Sequence, residues 1–546
     1  MLTKLPPEVF SIIADMLHKS DLQSLSLVSR RTYELSVRAL WKSVTFNPTH
    51  AASIGHICFK LTTDLHLLPD EKVKMVRDCD SIHRFDYLFG TEGEPTAEFF
   101  NNRWRFDHLA QRLHSVLTRF EDGQLHSFSW HLGICVPSEI LGDHGIISLR
   151  HNCSLRSLYL ETDFMCHFSH NGRYKIDLSP FHQLRSLTWK RPTPCNLETL
   201  SVALRTNSRH IQEVDVDFIC WEVFEHILDN DDSHRKSDFE LHSLFSDTMP
   251  GLNNLSPVLY FPDIRILSLI EVPIVVSMIP VLNFNTLVSL TLCNCPGWIT
   301  FLEHIAGQNF SIHLKRLEIK GLRGDSILGA PVVGRFIRTF QGLEELFIRE
   351  NYESEDGLHN LELIWDNAAH HHATLKKFVY HPQPLTWQSE LQDLAIPPHQ
   401  LQRMKDDPTQ QNPLARLDLE CIGLACGLGL LKTILQHFKS KSSLKLLHIR
   451  QSIGDTRYSP LRETAEAARF TPSREFLQFL EWVYGPTGLP SLQIVACGDF
   501  TFTDPCDSVI VYRDTGEKLN FRILSSKDAI RIRSEFSEVL EACPTT

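Results

Sequence analysis

Apolar and polar positions follow one recurring pattern along most of the chain: an apolar residue, two others, a second apolar residue, one other, and a third apolar residue. The first copy comprises Leu125, Phe128 and Trp130. The last two apolar positions are two residues apart, so in a β-strand they point to one face and the residue between them points to the other. Further copies begin at Leu155, Leu184, Ile211, Ile264, Leu287, Leu314, Leu343, Leu375, Leu414, Leu444 and Leu492.

The spacing of these copies predicts a repeat architecture of the α/β class. Successive copies begin about 33 residues apart on average, and apolar residues recur at helical spacing between some of them, at 197–204 and 332–337. One strand and one helix cannot bury their apolar faces alone, but stacked units share a continuous core. We therefore expect the strands to form one parallel sheet, with helices on its outer side.

This pattern resembles the leucine-rich repeat. The resemblance implies a solenoid whose parallel sheet lines the concave face. Most copies lack the buried Asn that follows the third apolar residue in that family, although Leu292-Cys293-Asn294 comes close. Two intervals between copies are long, and the first contains a polar stretch at 229–238. We therefore expect the solenoid to be irregular.

The N-terminal stretch 1–46 has a different pattern, typical of three short helices. Pro6 and Pro7 suit a first helical turn, where the missing N–H groups need no partner, and apolar residues from Val9 to Leu17 follow at helical spacing. Asp21 can cap a second helix, and a third runs to Trp41. Three helices of this size cannot bury all their apolar surface, so the surplus should contact a partner or the next domain.

Residues 1–46 resemble the F-box. The resemblance rests on Leu5-Pro6-Pro7-Glu8, Asp21-Leu22, Val28-Ser29-Arg30 and Leu40-Trp41, in that order. It implies a domain that binds a Skp-type adaptor and, through it, a cullin. The alternative is a three-helix segment that packs only on its own protein. The residues expected to contribute to the adaptor interface are Leu5, Pro6, Ile12, Leu22, Leu25, Val28 and Trp41.

Together, the two resemblances imply a non-catalytic subunit that holds a protein substrate for a ubiquitin ligase. Irregular chains of this kind look like those common in filamentous fungi. A leucine-rich-repeat scaffold acting outside a ligase is the alternative. On the concave face, the residues between the second and third apolar positions are the expected substrate contacts; loops or the stretch 229–238 are an equal alternative. These positions are Tyr159, Thr188, Asp215, Ser268, Thr291, Glu318, Phe347, Val379, Asp418 and His448.

Composition narrows the class of partner. The formal net charge of −12 argues against nucleic acid as the main ligand, because phosphate binding needs a basic surface. The sequence predicts no signal peptide and no membrane span, since there is no apolar run of the required length. The cysteines are scattered without a framework, which is typical of reduced thiols in the cytoplasm or nucleus. The concave-face set contains no Lys or Arg, so it fits a basic or mixed protein surface better than a phosphorylated motif.

We find no motif that predicts catalysis, a cofactor or a metal. The G-x-S-x-G, H-E-x-x-H and Walker A patterns are absent. Gly427-Leu-Gly429 before Lys432 lacks the spacing of a phosphate-binding loop, and is better explained as a tight turn. His370, His371 and His372 point in different directions, and no nearby Cys pair completes a metal site.

The resulting domain prediction has four parts. The F-box covers 1–46. A linking region covers 47–120, with a short strand at 57–61 and a helix near 106–120 that packs on the solenoid; another short strand, at 44–46, precedes it. The leucine-rich-repeat-like solenoid covers 121–500. A hairpin around Asp514-Thr-Gly516 and a closing helix at 530–540 form a C-terminal cap at 501–546.

Overall fold

The structure is a computed structural model with two compact units. It describes residues 42–46, 110–163, 175–218, 261–321, 326–352, 360–384, 412–450, 474–498, 500, 508–517 and 519–543, with single positions between 13 and 36 and at 402 and 406. The first unit is Met1–Ile266 with Pro280–Asn283, and the second is Leu267–Ile279 with Phe284–Thr546. The predicted strand at 57–61 and the polar stretch at 229–238 lie outside the described residues.

In the first unit, five strands pair in parallel and in chain order. These strands are β1 (Ser43–Phe46), β2 (Ser127–Trp130), β3 (Ser157–Glu161), β4 (Ser186–Lys190) and β5 (Glu213–Asp217). Residues 110–117, between β1 and β2, are helical and lie within the predicted helix near 106–120. The helices that follow β2 are α1 (Ser138–Leu141), α2 (Ile146–Arg150) and α3 (Leu197–Asn207). The predicted strand at 44–46 is therefore present, and α3 contains the predicted helix at 197–204.

The strand register stacks the apolar positions of successive copies. Phe128 pairs with Leu158, Leu158 with Leu187, and Leu187 with Val214. All four side chains are buried, so each copy contributes one layer to a continuous apolar core, as the alternating pattern predicts.

A buried polar side chain closes several turns of the chain. The N–H of Leu184 donates to Oδ1 of Asn207 over 2.8 Å, and the N–H of Leu125 donates to Nδ1 of His151 over 3.4 Å. Each acceptor lies four residues before the first apolar residue of the next copy. Burial lowers the pKa of His151 to about 4, so the ring is neutral and Nδ1 can accept. These side chains satisfy main-chain donors that would otherwise be buried without partners.

In the second unit, seven strands are parallel and the last two are antiparallel. These strands are β7 (Ser289–Cys293), β8 (Arg316–Lys320), β9 (Glu345–Tyr352), β10 (Lys377–Pro384), β11 (Cys421–Leu424), β12 (Leu446–Ile449), β13 (Ile494–Gly498), β14 (Ser508–Arg513) and β15 (Phe521–Ile523). Strand β6 (Ile266–Ile270) begins at the boundary of the two units.

The second unit contains helices between its strands and after the last one. They are α4 (Trp298–Ala306), α5 (Ser326–Ile337), α6 (Asn360–Ala368), α7 (Leu428–Leu435), α8 (Arg474–Tyr484), α9 (Ser526–Glu535) and α10 (Ser537–Leu540). Helix α5 contains the predicted helix at 332–337 and packs on β9. The hairpin around Asp514 is confirmed as β14 and β15. The predicted closing helix is divided at Phe536 into α9 and α10.

One predicted copy of the pattern is wrong in register. Leu414 lies in a 3₁₀ turn, and the strand begins only at Cys421. Asn412 accepts the N–H of Leu414 over 3.0 Å and is followed by Pro413, which together start a helical turn where the prediction placed a strand. The pattern is instead met by Leu419, Ile422 and Leu424, of which the last two lie on β11. Asp418 is therefore exposed before the strand and not on it.

The C-terminal residues lie across the sheet of the second unit. We call α9, α10 and the residues up to Cys543 the C-terminal cover. Its buried residues Val539, Leu540 and Ala542 share an apolar cluster with Phe347 and Val379 of the strands, and α10 contacts β10 and β11. The face of these strands opposite the helix-packed core is therefore buried.

Candidate functional site

The predicted contact residues of the first unit lie side by side. Tyr159 pairs with Thr188, and Thr188 pairs with Asp215, on three adjacent strands. All three side chains are half-buried, whereas their neighbours on the core side are buried. We call this side of β2–β5, with Ser129 on the strand next to Tyr159, the open face.

Tyr159 is the aromatic centre of this face. The ring of His131 stacks on it, with 3.8 Å between ring centroids and 29° between planes. The ammonium of Lys190 lies 5.9 Å from the centroid of the Tyr159 ring. Burial raises the pKa of the Tyr159 hydroxyl, so the phenol is neutral and can both donate and accept a hydrogen bond.

Charged residues lie two positions further along these strands than Tyr159, Thr188 and Asp215. Glu161 pairs with Lys190, and Lys190 pairs with Asp217. Burial lowers the pKa of Lys190, but Tyr159, Asp215 and the other acids raise it, and the net direction is upward. The ammonium is therefore held charged among three carboxylates, and the open face is acidic overall.

Sequence reasoning missed a row of serines at the start of these strands. Ser127 pairs with Ser157, and Ser157 pairs with Ser186, and all three are half-buried. The signal was present, because serine precedes the second apolar residue in each of these copies. With Thr188 and Ser129, these residues make the open face rich in hydroxyl groups that can donate and accept.

The second unit does not continue this arrangement. Glu318 is 6% exposed and Phe347 is fully buried, because the C-terminal cover lies on them. The sequence predicted these positions for an accessible concave face, but both side chains are buried, as are those of Val379 and His448. Thr291 on β7 and Ser268 on β6 remain half-buried. Asp418 is separated from the set because it does not lie on a strand.

Glu318 instead belongs to a buried polar network. It accepts from Arg316 over 2.9 Å and from the N–H of Cys543 over 2.7 Å. Arg316 also lies 3.7 Å from Glu345, and its guanidinium is 5.0 Å from the ring centroid of Phe347. Lys377 bridges Glu345 of β9 and Glu538 of the C-terminal cover. These hydrogen bonds and ion pairs stabilise the packing of the C-terminal cover on the strands.

Among the predicted adaptor contacts, three lie within the described residues. Leu22 is 5% exposed, Leu25 is half-buried and Val28 is 70% exposed. Leu27, which sequence reasoning did not select, is 87% exposed. Exposed neighbouring apolar side chains are a common mark of a protein-binding surface. Leu5, Pro6, Ile12 and Trp41 lie outside the described residues.

The candidate metal and phosphate motifs have structural roles. His371 accepts the N–H of Leu343 over 3.3 Å, and its Nε2 lies 2.8 Å from the Ile337 carbonyl. It therefore repeats the role of His151. Gly427 precedes α7 as its N-cap. Within the described residues, no three His, Cys, Asp or Glu side chains are grouped as metal ligands, and no helix there has the length and apolar character of a membrane span.

Comparison with known proteins identifies the N-terminal region. Residues 2–47 match the F-box-like family, so the chain carries an F-box-like domain at its N-terminus. The match overlaps the predicted F-box at 1–46 over residues 2–46. No curated protein matches the chain.

Proposed function

We propose that this protein is the substrate-recognition subunit of a Skp–cullin–F-box ubiquitin ligase. The F-box-like domain binds a Skp-type adaptor, and through it a cullin. The open face of the first unit binds a protein substrate. The observation that carries the proposal is the F-box-like match at 2–47, joined to a sheet built from repeated copies of one pattern.

Exposed apolar residues support the adaptor contact. Leu27 and Val28 are adjacent and largely exposed, while Leu22 packs inward. Burying two such side chains at an interface removes apolar surface from water, which contributes roughly 1.5–3 kcal/mol for each fully buried side chain. We assign the interface to Leu27 and Val28 together with Leu5, Pro6, Ile12, Leu25 and Trp41, and assign Leu22 to the packing of the domain.

The open face supports the substrate contact through its chemistry. Tyr159 offers a flat ring with a polar end, a type of side chain that is enriched in protein interfaces. Asp215 and Thr188 beside it offer hydrogen-bond acceptors and a donor. Because carboxylates outnumber the ammonium of Lys190, the face suits a substrate surface that carries Lys or Arg. Thr291 and Ser268 are secondary candidates.

The remaining parts of the proposal concern the class of protein, the class of partner and the cellular compartment. The protein acts without an active site, cofactor or metal of its own, and ubiquitin transfer is carried out by the other subunits. It binds proteins rather than nucleic acid or membranes, in the cytoplasm or the nucleus. Its solenoid is of the leucine-rich type and resembles that of fungal F-box proteins.

A scaffold outside a ligase is the second candidate. It is favoured by the size of the repeat region relative to the F-box-like match, which covers only residues 2–47 of the chain. Such a scaffold would use the same open face for a stable partner. The two candidates differ in whether a cullin accompanies the adaptor.

Affinity capture of the full chain and of two variants tests the proposal. Val28→Asp with Leu27→Asp should abolish capture of both adaptor and cullin and leave substrate capture intact. Tyr159→Ala with Asp215→Asn should reduce capture of the substrate at least tenfold and leave the adaptor in place. The matched control Asp143→Asn with His144→Ala removes one carboxylate and one ring from exposed positions off the sheet.

Each result has one interpretation. Adaptor capture without a cullin favours the scaffold. Adaptor binding that is unchanged by both aspartates contradicts the interface assignment. If the open-face variant and its control capture the same proteins in the same amounts, the substrate binds elsewhere.

A further inference from the structure

The second unit carries a basic region on an otherwise acidic protein. Residues 421–450 contain Lys432, Lys439, Lys441, Lys445 and Arg450, and no Asp or Glu, although the whole chain has a formal net charge of −12. Lys432 lies on α7 and Lys439 on the 3₁₀ turn that follows it. Both side chains are exposed.

Two of these lysines lie around one tryptophan. The Nζ atoms of Lys432 and Lys439 are 5.3 Å and 5.9 Å from the ring centroid of Trp482 on α8. Among the described residues, neither lysine has a carboxylate within ion-pair distance, in contrast to Lys445, which pairs with Glu420 over 2.7 Å. Both ammonium groups thus lie against the same ring, and an anion that approaches it is attracted by two positive charges.

A cavity of about 660 Å³ adjoins one of these lysines, Lys439. Lys439 forms part of its wall, with Thr487, Arg513 and Asn520. The Arg513 guanidinium stacks on Tyr484 at 4.9 Å from the ring centroid, and donates to the carbonyls of Leu489 over 2.6 Å and Leu492 over 2.8 Å. These acceptors are neutral, so they position the guanidinium without cancelling its charge.

The end of α8 would ordinarily repel an anion, because its last carbonyls carry partial negative charge. Here main-chain N–H groups satisfy two of these carbonyls. The N–H of Gly485 donates to the carbonyl of Trp482 over 3.2 Å, and the N–H of Leu489 donates to the carbonyl of Val483 over 2.9 Å. A Cβ at Gly488 would lie 2.0 Å from the Trp482 carbonyl oxygen, so the turn 485–488 lies directly on the helix end. The turn that forms this wall is therefore packed on the helix end, and the charged side chains of the wall, Lys439 and Arg513, are positive.

We propose that Lys432, Lys439 and the adjoining cavity bind an acidic segment of a partner protein. Carboxylate or phosphate groups of that segment contact the two ammonium groups, and Thr487 and Asn520 supply neutral donors in the cavity. Charge complementarity selects this occupant, since the charged side chains that line the cavity, Lys439 and Arg513, are both positive and Lys432 shares the Trp482 ring with Lys439. The site is distinct in chemistry from the acidic open face of the first unit, and it does not depend on the role of the F-box-like domain.

Fluorescence anisotropy of labelled peptides on the full chain tests the site. Three peptides share one sequence in which the variable positions are Glu, phosphoserine or Gln. Binding of the Glu or phosphoserine peptide, and not the Gln peptide, is expected at low salt, and it should weaken as salt screens the charges. Tighter binding of the phosphoserine peptide identifies phosphate as the preferred group, and equal binding identifies any acidic segment.

Two variants with equal charge change locate the binding. Lys432→Gln with Lys439→Gln should weaken acidic-peptide binding at least tenfold. Lys315→Gln with Arg335→Gln removes two exposed charges elsewhere on the second unit, each paired with a glutamate, and should have little effect. No binding by the parent chain, equal binding of the Gln peptide, or equal losses in the two variants would each overturn the proposal. Unchanged thermal unfolding of both variants confirms that the fold is intact.

Discussion

The main-chain N–H of Cys543 donates to Oε1 of Glu318 over 2.7 Å, although the two residues are 225 positions apart in the sequence. The carbonyl of Cys543 accepts from Nη2 of Arg450 over 3.0 Å. One residue at the end of the C-terminal cover is thus held by side chains from β8 and from the residue after β12. Both side chains are buried, where a hydrogen bond to a charged group is stronger than on the surface.

Loss of the Glu318 carboxylate should loosen the C-terminal cover. Glu318→Ala leaves the N–H of Cys543 and the Arg316 guanidinium without this acceptor, so we expect the free energy of unfolding to fall by about 1–3 kcal/mol. Hydrogen exchange at 539–543 should accelerate. Glu344→Ala is the control, because it removes an exposed ion pair with Lys315 that contributes at most about 1 kcal/mol. Equal effects of the two changes would show that the hydrogen bond between Glu318 and Cys543 does not stabilise the C-terminal cover.

The apolar contacts of the cover should contribute more than its polar ones. Leu540 is fully buried in the cluster with Phe347 and Val379. Leu540→Ala should lower the free energy of unfolding by about 2–5 kcal/mol through lost transfer energy and a cavity. Ile530→Ala, on α9 but 67% exposed, should change it by less than about 0.5 kcal/mol. Chemical denaturation of both variants measures the difference, and a cost at Ile530 that matches the cost at Leu540 would contradict the packing described.

The buried histidines should make the protein sensitive to acid. Burial lowers the pKa of His371 to about 4, with a smaller lowering from His370 and an opposing contribution from its bond to Ile337. The unfolded ring has a pKa of about 6.5. The unfolded state therefore binds more protons below pH 6.5, and the stabilisation present above pH 6.5 is lost as the pH falls towards 4. Burial has the same effect on His151 and His437.

His371→Asn isolates one of these groups. Asn207 already accepts the N–H of Leu184 in the equivalent turn, so Asn should retain much of the bond to Leu343. We expect the free energy of unfolding at pH 7 to change by less than about 1.5 kcal/mol, and its decline between pH 6.5 and 4 to be shallower. His371→Leu, which keeps the volume but not the acceptor, should cost about 1–3 kcal/mol at pH 7. If the Asn variant declines with pH as steeply as the parent, His371 does not contribute to the acid response.

Gly423 tests how closely the strands pack beneath the cover. A Cβ at this position would lie 3.0 Å from Cγ2 of Val379, which is itself fully buried. Gly423→Ala should therefore destabilise the protein by about 1–3 kcal/mol through overpacking. Combination with Val379→Ala should cost less than the sum of the two single changes, because the methyl groups removed are those that collide. Strict additivity in a double-mutant cycle would contradict this packing.

The period of the apolar residues was enough to predict most of the strands. Copies such as Leu155-Leu158-Leu160 contain two alternating apolar residues, and this local property places them on one face whatever surrounds them. The prediction at Leu414 was wrong because two apolar triplets, one from Leu414 and one from Leu419, overlap there. The choice between them depends on Asn412 and Pro413, which start a helical turn, and not on the apolar residues themselves.

The accessibility of the sheet face opposite the helix-packed core could not be predicted in the same way. Tyr159 and Glu318 occupy equivalent positions in their copies, yet one is half-buried and the other is covered. The difference arises from residues more than 200 positions later in the chain, whose helical pattern does not reveal where they will dock. The apolar residues Phe347 and Val379 were a local signal that this face is covered in the second unit, whereas Glu318 and His448 suggested the opposite.

The position of the C-terminal cover has a consequence for the order in which the protein folds during synthesis. The cover is translated last among the described residues, yet it packs on strands that begin at Arg316. Until Cys543 has left the ribosome, Phe347 and Val379 have no cover, and the nascent chain presents an apolar sheet face to its surroundings. A chain that stalls before the cover is translated would therefore offer apolar surface to a chaperone. The contacts that complete the core remove this surface once the cover has docked.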